Sequence, residues 1–353
     1  MTGKANLAAS VAARLLNRAR ERGEDYQTLL SSYCFERFLY RLGRSALRDR
    51  FVLKGAMLLR VWSDRPYRAT RDLDLLRRGD GSFEAIRRDL ATICAVRVDP
   101  DAVEFDAAGI RIESIRAEDE YAGTRASLPA RCGSARLVLQ VDVGLGDSVW
   151  PEPQRCAYPA LLGFPAPEVL AYPREAVVAE KLEAMVMLGD RNSRIKDFFD
   201  LHHLANRFEF DRATLAEAVR RTFERRRTPL PHEAPIRLTA LYWQNPSRPA
   251  QVARSPGERG SKRLPRPAKA LSACSARSCC RSLRICGRAR AAWVRGLQEV
   301  HGSSHYERRD QKIERAGALR RLKRYPAYKD SGVESLGRFR RIRCGRCRAC
   351  SPP

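Results

Sequence analysis

The sequence lacks an apolar run long enough to span a membrane. A transmembrane helix needs about 20 consecutive apolar residues, and every apolar stretch in this chain of 353 residues is broken by charges well before that length. The first residues, MTGKANLAASVAARLLNRARERGEDY, have charges throughout and no apolar block of the kind found in secretory signals. We therefore expect a protein that has no membrane partner and works in the cytoplasm.

Histidine is scarce, and cysteine offers no activated nucleophile. The chain has five histidines, and His202 and His203 follow a Phe-Phe-Asp-Leu run that favours a helix-surface or packing role over a metal site. The cysteines of residues 1–245 have no histidine nearby in the sequence to activate them. We expect them to be idle or buried thiols of a reducing compartment. They are Cys34, Cys94, Cys132 and Cys156.

The basic excess of the chain lies in its last third. The net charge is +26, but residues 1–245 hold 39 Lys and Arg against 34 Asp and Glu, whereas residues 246–353 hold 28 against 7. The last third is rich in Arg, Ser, Pro and Cys and has no sustained hydrophobic period, which is typical of a disordered tail. Such a tail could bind nucleic acid.

Two other interpretations of residues 246–353 stay open. CGRCRAC places Cys344, Cys347 and Cys350 at metal-ligand spacing, but no second CxxC stands at the distance that a zinc module needs. In addition, RYPAYKDSGVESLG at 324–337 resembles the opening segment of type I restriction specificity subunits. That resemblance indicates a frameshift or readthrough fusion, in which case the positive charge would be poor evidence for a nucleic-acid partner.

Residues 1–245 show the patterns of an α/β protein. Apolar residues three and four apart predict helices at roughly 5–22 and 26–47. Short apolar runs follow, and RLVLQVDVGL alternates apolar with polar residues, which predicts a strand. PREAVVAEKLEAMVMLGD, RIKDFFDLHHLANRF and DRATLAEAVRRTFERR then predict helices, the last with Asp211 as an N-cap candidate. We expect an α/β core followed by a helical lobe.

Two aspartates one residue apart stand out in YRATRDLDLLRRGD. In a strand, side chains at i and i+2 share a face about 6–7 Å apart, so Asp72 and Asp74 would lie together while Leu73 and Leu75 pack on the other face. Like charges this close are costly to bury unless a cation compensates them. Mg²⁺ suits this role, because it binds few protein carboxylates and keeps positions for substrate phosphates.

The alternative is a solvent-exposed strand edge at which neighbouring arginines pair with the two aspartates. Two features favour the metal site. Gly55 stands at a predicted strand–helix junction, where exposed backbone N–H groups can approach a phosphate. Asp142 lies in LQVDVGL with apolar residues on both sides, and a carboxylate in such a strand needs a partner. A metal shared with Asp72 and Asp74 would provide one.

Basic and acidic residues on the later helices extend this pattern. Lys181 falls on one predicted helix, and RIKDFFDLHHL places Lys196, Asp197 and Asp200 on the next. Lys196 and Asp200 could form an intrahelical ion pair, and Lys181 could be a solvated surface lysine. Together with the carboxylates and the glycine turn, however, these residues describe a nucleotidyltransferase site.

The segments FVLKGAMLLRVW, RATRDLDLL and EKLEAMVMLGDRNSRIKDFFDLHHL resemble the AbiEii/AbiGii toxin family of nucleotidyltransferases over residues 35–245. The resemblance implies a minimal nucleotidyltransferase core, a mixed sheet with flanking helices, and a helical lobe after it. It implies a toxin that moves a nucleoside monophosphate from a nucleoside triphosphate to a hydroxyl, with the tRNA 3′ end as the expected acceptor. Mg²⁺ at a two-ion site and a cognate antitoxin would complete the system.

The resemblance also assigns roles to individual residues. Metal binding and catalysis fall to Asp72, Asp74 and Asp142. Nucleotide binding falls to Lys54, Gly55, Ala56, Lys181, Lys196, Asp197 and Asp200. Ala56 departs from the Gly-Gly or Gly-Ser that is usual in the family, so it offers no hydroxyl to a phosphate, although its backbone N–H is unaffected.

We expect four consecutive parts, which are N-terminal helices (1–48), a nucleotidyltransferase core (49–150), a helical C-terminal lobe (151–245) and an Arg/Cys/Pro-rich tail (246–353). The tail would be disordered or the product of a frameshift. Two alternatives to an active enzyme stay open. One is a non-catalytic basic protein that binds nucleic acid through the tail, and the other is an inactive, frameshifted remnant of a toxin.

Overall fold

The computed structural model describes residues 2–63, 68, 70–115, 123–189 and 195–231. The helices of these residues are α1 (Thr2–Arg22), α2 (Tyr26–Arg44), α3 (Leu58–Trp62), α4 (Phe83–Cys94), α5 (Arg174–Leu188), α6 (Ile195–Arg207) and α7 (Arg212–Arg225). The strands are β1 (Phe51–Lys54), β2 (Asp72–Arg77), β3 (Val103–Phe105), β4 (Arg111–Ile115), β5 (Gly123–Cys132), β6 (Ala135–Leu145), β7 (Gln154–Ala157) and β8 (Glu168–Ala171). The predicted tail, its three clustered cysteines and the segment at 324–337 lie outside the described residues.

The strands form one sheet in the order β3-β5-β6-β2-β1-β8-β7, with β4 also pairing to β5. β1 runs parallel to β8 and β2 runs parallel to β6, whereas the other neighbours are antiparallel. The expected mixed sheet with flanking helices is confirmed. Because β2 lies between β1 and β6, the alternative that its aspartates sit at an exposed sheet edge is wrong.

The segment after residue 150, which we expected to be helical, begins instead with two strands. β7 and β8 extend the sheet beyond β1, with Val52 opposite Leu170, and the helices of this part begin only at Arg174. Each of these strands has four residues. A run this short does not show a period of two clearly enough to be recognised in the sequence.

The N-terminal helix α2 is tied to the sheet region by a buried ion pair. Arg37 Nη2 lies 2.7 Å from Glu36 Oε1 and donates a hydrogen bond of 2.8 Å to the carbonyl of Pro165. Glu36 in turn accepts a hydrogen bond of 2.7 Å from the backbone N–H of Leu161. Both charged side chains are almost fully buried, so this arrangement fixes α2 against the β7–β8 connection.

The strand that carries the two aspartates is anchored to α4. Arg77 Nε and Nη2 donate to Asp89 Oδ2 at 3.0 and 2.8 Å, and both side chains are buried. Arg50 binds the same carboxylate at 3.0 Å. Arg77, one of the arginines near the Asp-Leu-Asp segment, therefore binds α4 from one face of the sheet. Asp72 and Asp74 alternate with it along β2 and lie on the opposite face.

Helices α5 and α7 pack on each other through a small apolar cluster. Its buried members are Ala179, Leu182, Ala218, Val219 and Phe223. Asp211 caps α7 as predicted, accepting a hydrogen bond of 2.8 Å from the backbone N–H of Thr214. None of the helices in the described part of the chain is long and apolar enough to cross a membrane.

Candidate active site

Strand pairing brings four charged residues from distant parts of the chain into one row. Lys54 of β1 lies opposite Asp74 of β2, Asp74 lies opposite Asp142 of β6, and Asp142 lies opposite Arg125 of β5. Side chains at directly opposed positions share a face of the sheet and stand about 5 Å apart. The predicted carboxylates Asp74 and Asp142 are therefore direct neighbours, although 68 positions separate them in the sequence.

Asp72 lies two positions before Asp74 on the same face, opposite Gln140. A cleft of about 460 Å³ opens over the row, and its walls are Lys54, Asp74, Ile115, Gly123, Arg125, Asp142, Val143 and Gly144. Leu73 and Leu75 are fully buried on the opposite face, as the alternation predicts. The two sides of β2 thus separate the core from the charged cleft.

The carboxylates of β2 are held in an environment that disfavours their charge. Burial raises the pKa of Asp74 to about 6, and the neighbouring charges of Asp142 and Asp72 act in the same direction against Lys54. Burial, followed by the charge of Asp142, also raises the pKa of Asp72. A positive charge placed between these groups would relieve both effects.

Gly55 lets the backbone approach Asp74 closely. It has φ +70°, and an ideal Cβ built on it would lie 2.6 Å from Asp74 Cγ, far inside van der Waals contact. It begins a 3-10 turn, Gly55–Met57, that connects β1 to α3, so the predicted strand–helix junction is present. Ala56 is buried in this turn.

Asp142 is bound by an arginine. Arg125 Nε and Nη2 donate to Asp142 Oδ1 and Oδ2, each at 2.9 Å, and Gln140 Nε2 reaches Oδ2 at 3.5 Å. Hydrogen bonding to Asp142 raises the pKa of Arg125. This contact could not be predicted from the sequence, because it depends on the register between β5 and β6.

Lys54, which is part of the cleft wall, joins β1 to the segment after β6 and to α5. Its Nζ lies 2.6 Å from Asp147 Oδ2 and 3.1 Å from Glu180 Oε1. Arg226, which follows α7, binds Asp147 at 3.0 Å and Glu183 at 2.8 Å. Burial acts to raise the pKa of Asp147, but Lys54 and Arg226 outweigh it and lower the pKa to about 2.

The predicted residues of α5 and α6 meet in a second cluster. Lys181 Nζ lies 2.6 Å from both Asp197 Oδ1 and Asp200 Oδ2. Asp200 is almost fully buried and also receives two hydrogen bonds of 2.8 Å from Arg68. Asp200 thus binds Arg68 and Lys181. The alternative predicted from the sequence was an intrahelical ion pair between Asp200 and Lys196.

This second cluster lies close enough to the sheet to influence the aspartates of β2. The charge of Lys181 acts to lower the pKa of Asp74, and the charge of Lys196 acts to lower that of Asp72. Burial lowers the pKa of Arg68, while the charges of Asp197, Asp74 and Asp72 act to raise it. The helices after the sheet therefore supply cations to the carboxylate row, with Lys196 exposed at its rim.

Several residues of this site were not predicted from the sequence. Arg68 stands four residues before Asp72 and could have been noticed for that spacing. Arg125, Asp147 and Glu180 carry no sequence signal of their own, because each acquires its role from a partner more than 15 residues away. Charged residues on strands and helix surfaces are too common to be selected without that partner.

The donor set fits a hard divalent cation. Within the described ranges, no three His, Cys, Asp or Glu side chains are gathered closely enough to hold a metal ion as they stand. Asp72 and Asp74, however, share a face, have raised pKa values and offer the oxygen ligands that Mg²⁺ prefers. Asp142 is adjacent but has both oxygens on Arg125.

The cysteines and histidines of the described residues do not form a second catalytic centre. Cys34 and Cys132 are buried, and burial raises the pKa of Cys94 to about 12, which opposes thiolate formation. His202 stacks on the Phe198 ring with centroids 6.3 Å apart, and its backbone carbonyl accepts a hydrogen bond from Asn206. This is the packing role expected for it.

A family model described as the nucleotidyl transferase AbiEii toxin of a type IV toxin–antitoxin (TA) system matches residues 37–269. No curated protein matches the chain. Among solved structures, MenT4, a nucleotidyltransferase toxin from Mycobacterium tuberculosis H37Rv, is 18% identical, with 88% of this chain and 98% of that chain covered and a TM-score of 0.43. JHP933 from Helicobacter pylori is 14% identical, with 84% and 99% covered and a TM-score of 0.37. The family model covers well over half of the chain. The chain belongs to the AbiEii family of nucleotidyltransferase toxins.

Proposed function

We propose that this nucleotidyltransferase moves a nucleoside monophosphate from a nucleoside triphosphate to the 3′ end of tRNA, with the carboxylate row as its catalytic centre. The observation that carries the proposal is the β2–β6 register, which puts Asp74 beside Asp142 with Asp72 on the same face. Three carboxylates on one face of the sheet, two of them lining an open cleft, suit a reaction in which charge on phosphate oxygens must be offset.

Asp72 and Asp74 would hold the first divalent cation, and Asp142 would complete a second position. Mg²⁺ bound there would offset the negative charge of the triphosphate and of the leaving pyrophosphate. The raised pKa values of Asp72 and Asp74 support this role, because burial and, after it, repulsion from Asp142 disfavour both charges, and a bound cation would offset the two effects.

The chain's own cations and amides would position the triphosphate. Lys181 is held by two carboxylates on α6, which orient its ammonium close to the aspartates of β2. Gly55 and Ala56 offer backbone N–H groups in the 3-10 turn beside Asp74. Lys196, which is exposed near Asp72, would meet the nucleotide from the solvent side.

The resemblance assigned Lys54 to nucleotide binding. Its contacts suit it better to a role in supporting the site. Its ammonium is engaged by Asp147 and Glu180. It lies opposite Asp74 in the sheet and acts to lower the pKa of that carboxyl. We therefore assign Lys54 a positioning role, holding β1 and the Gly55 turn against the helices.

The reaction needs no side-chain nucleophile. The acceptor hydroxyl would attack the α-phosphorus in line, its proton would leave to solvent or to a carboxylate of the row, and pyrophosphate would depart. Catalysis would come from positioning and electrostatic stabilisation. A toxin of this kind would act in the cytoplasm, where triphosphates and tRNA are present, and a cognate antitoxin would restrain it.

The test is a transfer assay with the full-length protein, Mg²⁺, bulk tRNA and each labelled nucleoside triphosphate in turn. We expect label on tRNA from the unchanged protein and none from Asp72→Asn or Asp74→Asn. Asp80→Asn is the matched control, because Asp80 is an exposed carboxylate just beyond β2. Label that persists in the Asp72 and Asp74 variants would refute the proposed centre.

The same assay addresses the alternative of a non-catalytic nucleic-acid-binding protein. That alternative depends on residues 246–353, which lie outside the described residues. It requires tRNA binding that weakens steeply with salt and is unchanged in Asp74→Asn, with no transfer by any form of the protein. A remnant that has lost activity would instead bind neither nucleotide nor metal.

A further inference from the structure

We infer that Arg125 is a substrate-contacting residue that exchanges partners during binding. Its guanidinium is bound to Asp142 in the structure, and it binds the oxygens of the triphosphate once Asp142 binds a cation. The inference deepens the proposed function and rests on it. It follows from how the Arg125–Asp142 pair is built and where it lies.

Arg125 is bound to Asp142, the carboxylate that would hold the second cation. Both oxygens of Asp142 accept hydrogen bonds of 2.9 Å from the guanidinium of Arg125. In this arrangement each Asp142 oxygen has one lone pair engaged by Arg125, and the guanidinium charge opposes the approach of a cation to the carboxylate. Binding of a cation by Asp142 therefore competes with Arg125 for the same two oxygens.

A comparison with another Arg–Asp pair separates exchange from a purely structural contact. The Arg77 and Asp89 side chains are 2% and 5% exposed, as expected of a permanent link between β2 and α4. Arg125 and Asp142 are 34% and 18% exposed and face the cleft. Ion pairs that are open to water contribute little to stability, so Arg125 can leave Asp142 at small cost.

The other cations near the row are held differently. Lys54 is bound by Asp147 and Glu180, and Lys181 by carboxylates of α6. Those carboxylates are outside the proposed metal set, so arrival of a cation does not free the lysines. Arg125 is freed by that event, and its planar fork matches phosphate oxygens in two-point contact. Its position in the cleft wall then places a guanidinium where the triphosphate enters.

The rival explanation is that Arg125 only orients Asp142 for metal binding. The two explanations predict opposite effects on cation binding. If Arg125 competes for Asp142, its removal should tighten binding of a divalent cation in the absence of nucleotide. If Arg125 orients Asp142, its removal should weaken that binding.

The experiment measures two affinities of the full-length protein. Mn²⁺ binding is followed by electron paramagnetic resonance without nucleotide, and binding of magnesium tripolyphosphate is followed by calorimetry. For Arg125→Gln we expect Mn²⁺ to bind several-fold more tightly and tripolyphosphate about tenfold more weakly. Arg131→Gln is the control, because Arg131 is exposed on the same strand and lies outside the cleft. Both of its affinities should be unchanged.

Arg125→Lys keeps the positive charge but removes the planar guanidinium. The changes in Mn²⁺ affinity and in tripolyphosphate affinity should therefore have the same directions as in Arg125→Gln and be smaller. Thermal melting will show whether Arg125→Gln folds. If it does not, the affinities of Arg125→Lys decide between competition and orientation. Weaker Mn²⁺ binding in the variants, or unchanged tripolyphosphate binding, would overturn the inference while leaving the proposed function intact. If the protein without any substitution binds neither Mn²⁺ nor magnesium tripolyphosphate, the proposed function itself is overturned.

Discussion

The Asp74 carboxylate fills the space that a β-carbon on Gly55 would need. An ideal Cβ at Gly55 would lie 2.6 Å from Asp74 Cγ and 2.7 Å from Asp74 Cβ, and Gly55 itself has φ +70°. The turn after β1 and the carboxylate on β2 therefore form one unit, in which a side chain on the first would displace the second. Gly55 serves this close approach as well as the turn conformation.

Gly55→Ala is expected to reduce transfer at least 100-fold, because the added methyl group displaces Asp74 from the row. Gly79→Ala is the matched control. Gly79 also has positive φ, at +92°, but nothing lies within 4 Å of its ideal Cβ. Each variant should lose about 1–3 kcal/mol of stability from backbone strain, measured by denaturant unfolding, and only Gly55→Ala should lose transfer. Equal activity in the two variants would contradict the proposed contact.

Asp74→Asn and Asp147→Asn are expected to change stability in opposite directions. Asp74 is a carboxylate whose charge the fold disfavours, so its neutralisation should raise the free energy of unfolding while transfer is lost. Asp147 has a pKa lowered to about 2 by Lys54 and Arg226, and Asp147→Asn leaves both cations without this partner. It should lower the free energy of unfolding by about 2 kcal/mol. Melting without added metal would show this, and a shift of the same sign in both variants would count against the assignment.

The stabilisation by Asp74→Asn should depend on pH. The pKa of Asp74 is about 6 in the folded protein and about 3.9 in an unfolded chain. Between these values the folded state binds more protons, so the stability of the unchanged protein falls as pH rises from 4 to 6. The difference in unfolding free energy between Asp74→Asn and the unchanged protein should be near zero at pH 4 and approach about 3 kcal/mol above pH 6. A difference independent of pH would show that the pKa of Asp74 is not raised.

Asp200→Asn is expected to destabilise the protein by about 3–5 kcal/mol, because it leaves the largely buried guanidinium of Arg68 without this charged partner and leaves Lys181 with Asp197 alone. Asp197→Asn is the comparison, since Lys181 keeps Asp200 and the Asp197 side chain is 15% exposed against 1% for Asp200. It should cost much less. Denaturant unfolding would measure the loss of unfolding free energy in both variants from the shift of the midpoint, provided that the slope of the transition is unchanged. Equal losses would mean that Asp200 does not organise the cluster formed with Arg68 and Lys181.

The sequence alone predicted those parts of the fold that depend on local pattern. The helices α5, α6 and α7 were recognisable from their period and, for α7, from the Asp211 cap, which the structure confirms. The strand β6 showed its alternation over 11 residues. β7 and β8 were missed, because a strand of four residues is stabilised by its neighbour in the sheet more than by its own pattern.

The site was predictable where residue type and spacing already imply a shared face. Asp72 and Asp74 meet this condition, and Asp142 was singled out because a carboxylate is costly in an apolar strand. Arg125 could not be found in this way, because its role depends on the β5–β6 register that puts it opposite Asp142. Lys54 was assigned to the glycine-turn segment from the sequence, but its contacts with Asp147 and Glu180 arise from tertiary packing and could not be predicted.

The most direct test of the account follows the label position in the nucleotide. The full-length protein would be incubated with Mg²⁺, tRNA and a nucleoside triphosphate labelled at either the α- or the γ-phosphate. Nucleotidyl transfer by the Asp72, Asp74 and Asp142 row predicts α-label on the RNA and γ-label in free pyrophosphate, with both signals lost in Asp74→Asn. Transfer of γ-label to the RNA, or α-label transfer that survives Asp74→Asn, would contradict it.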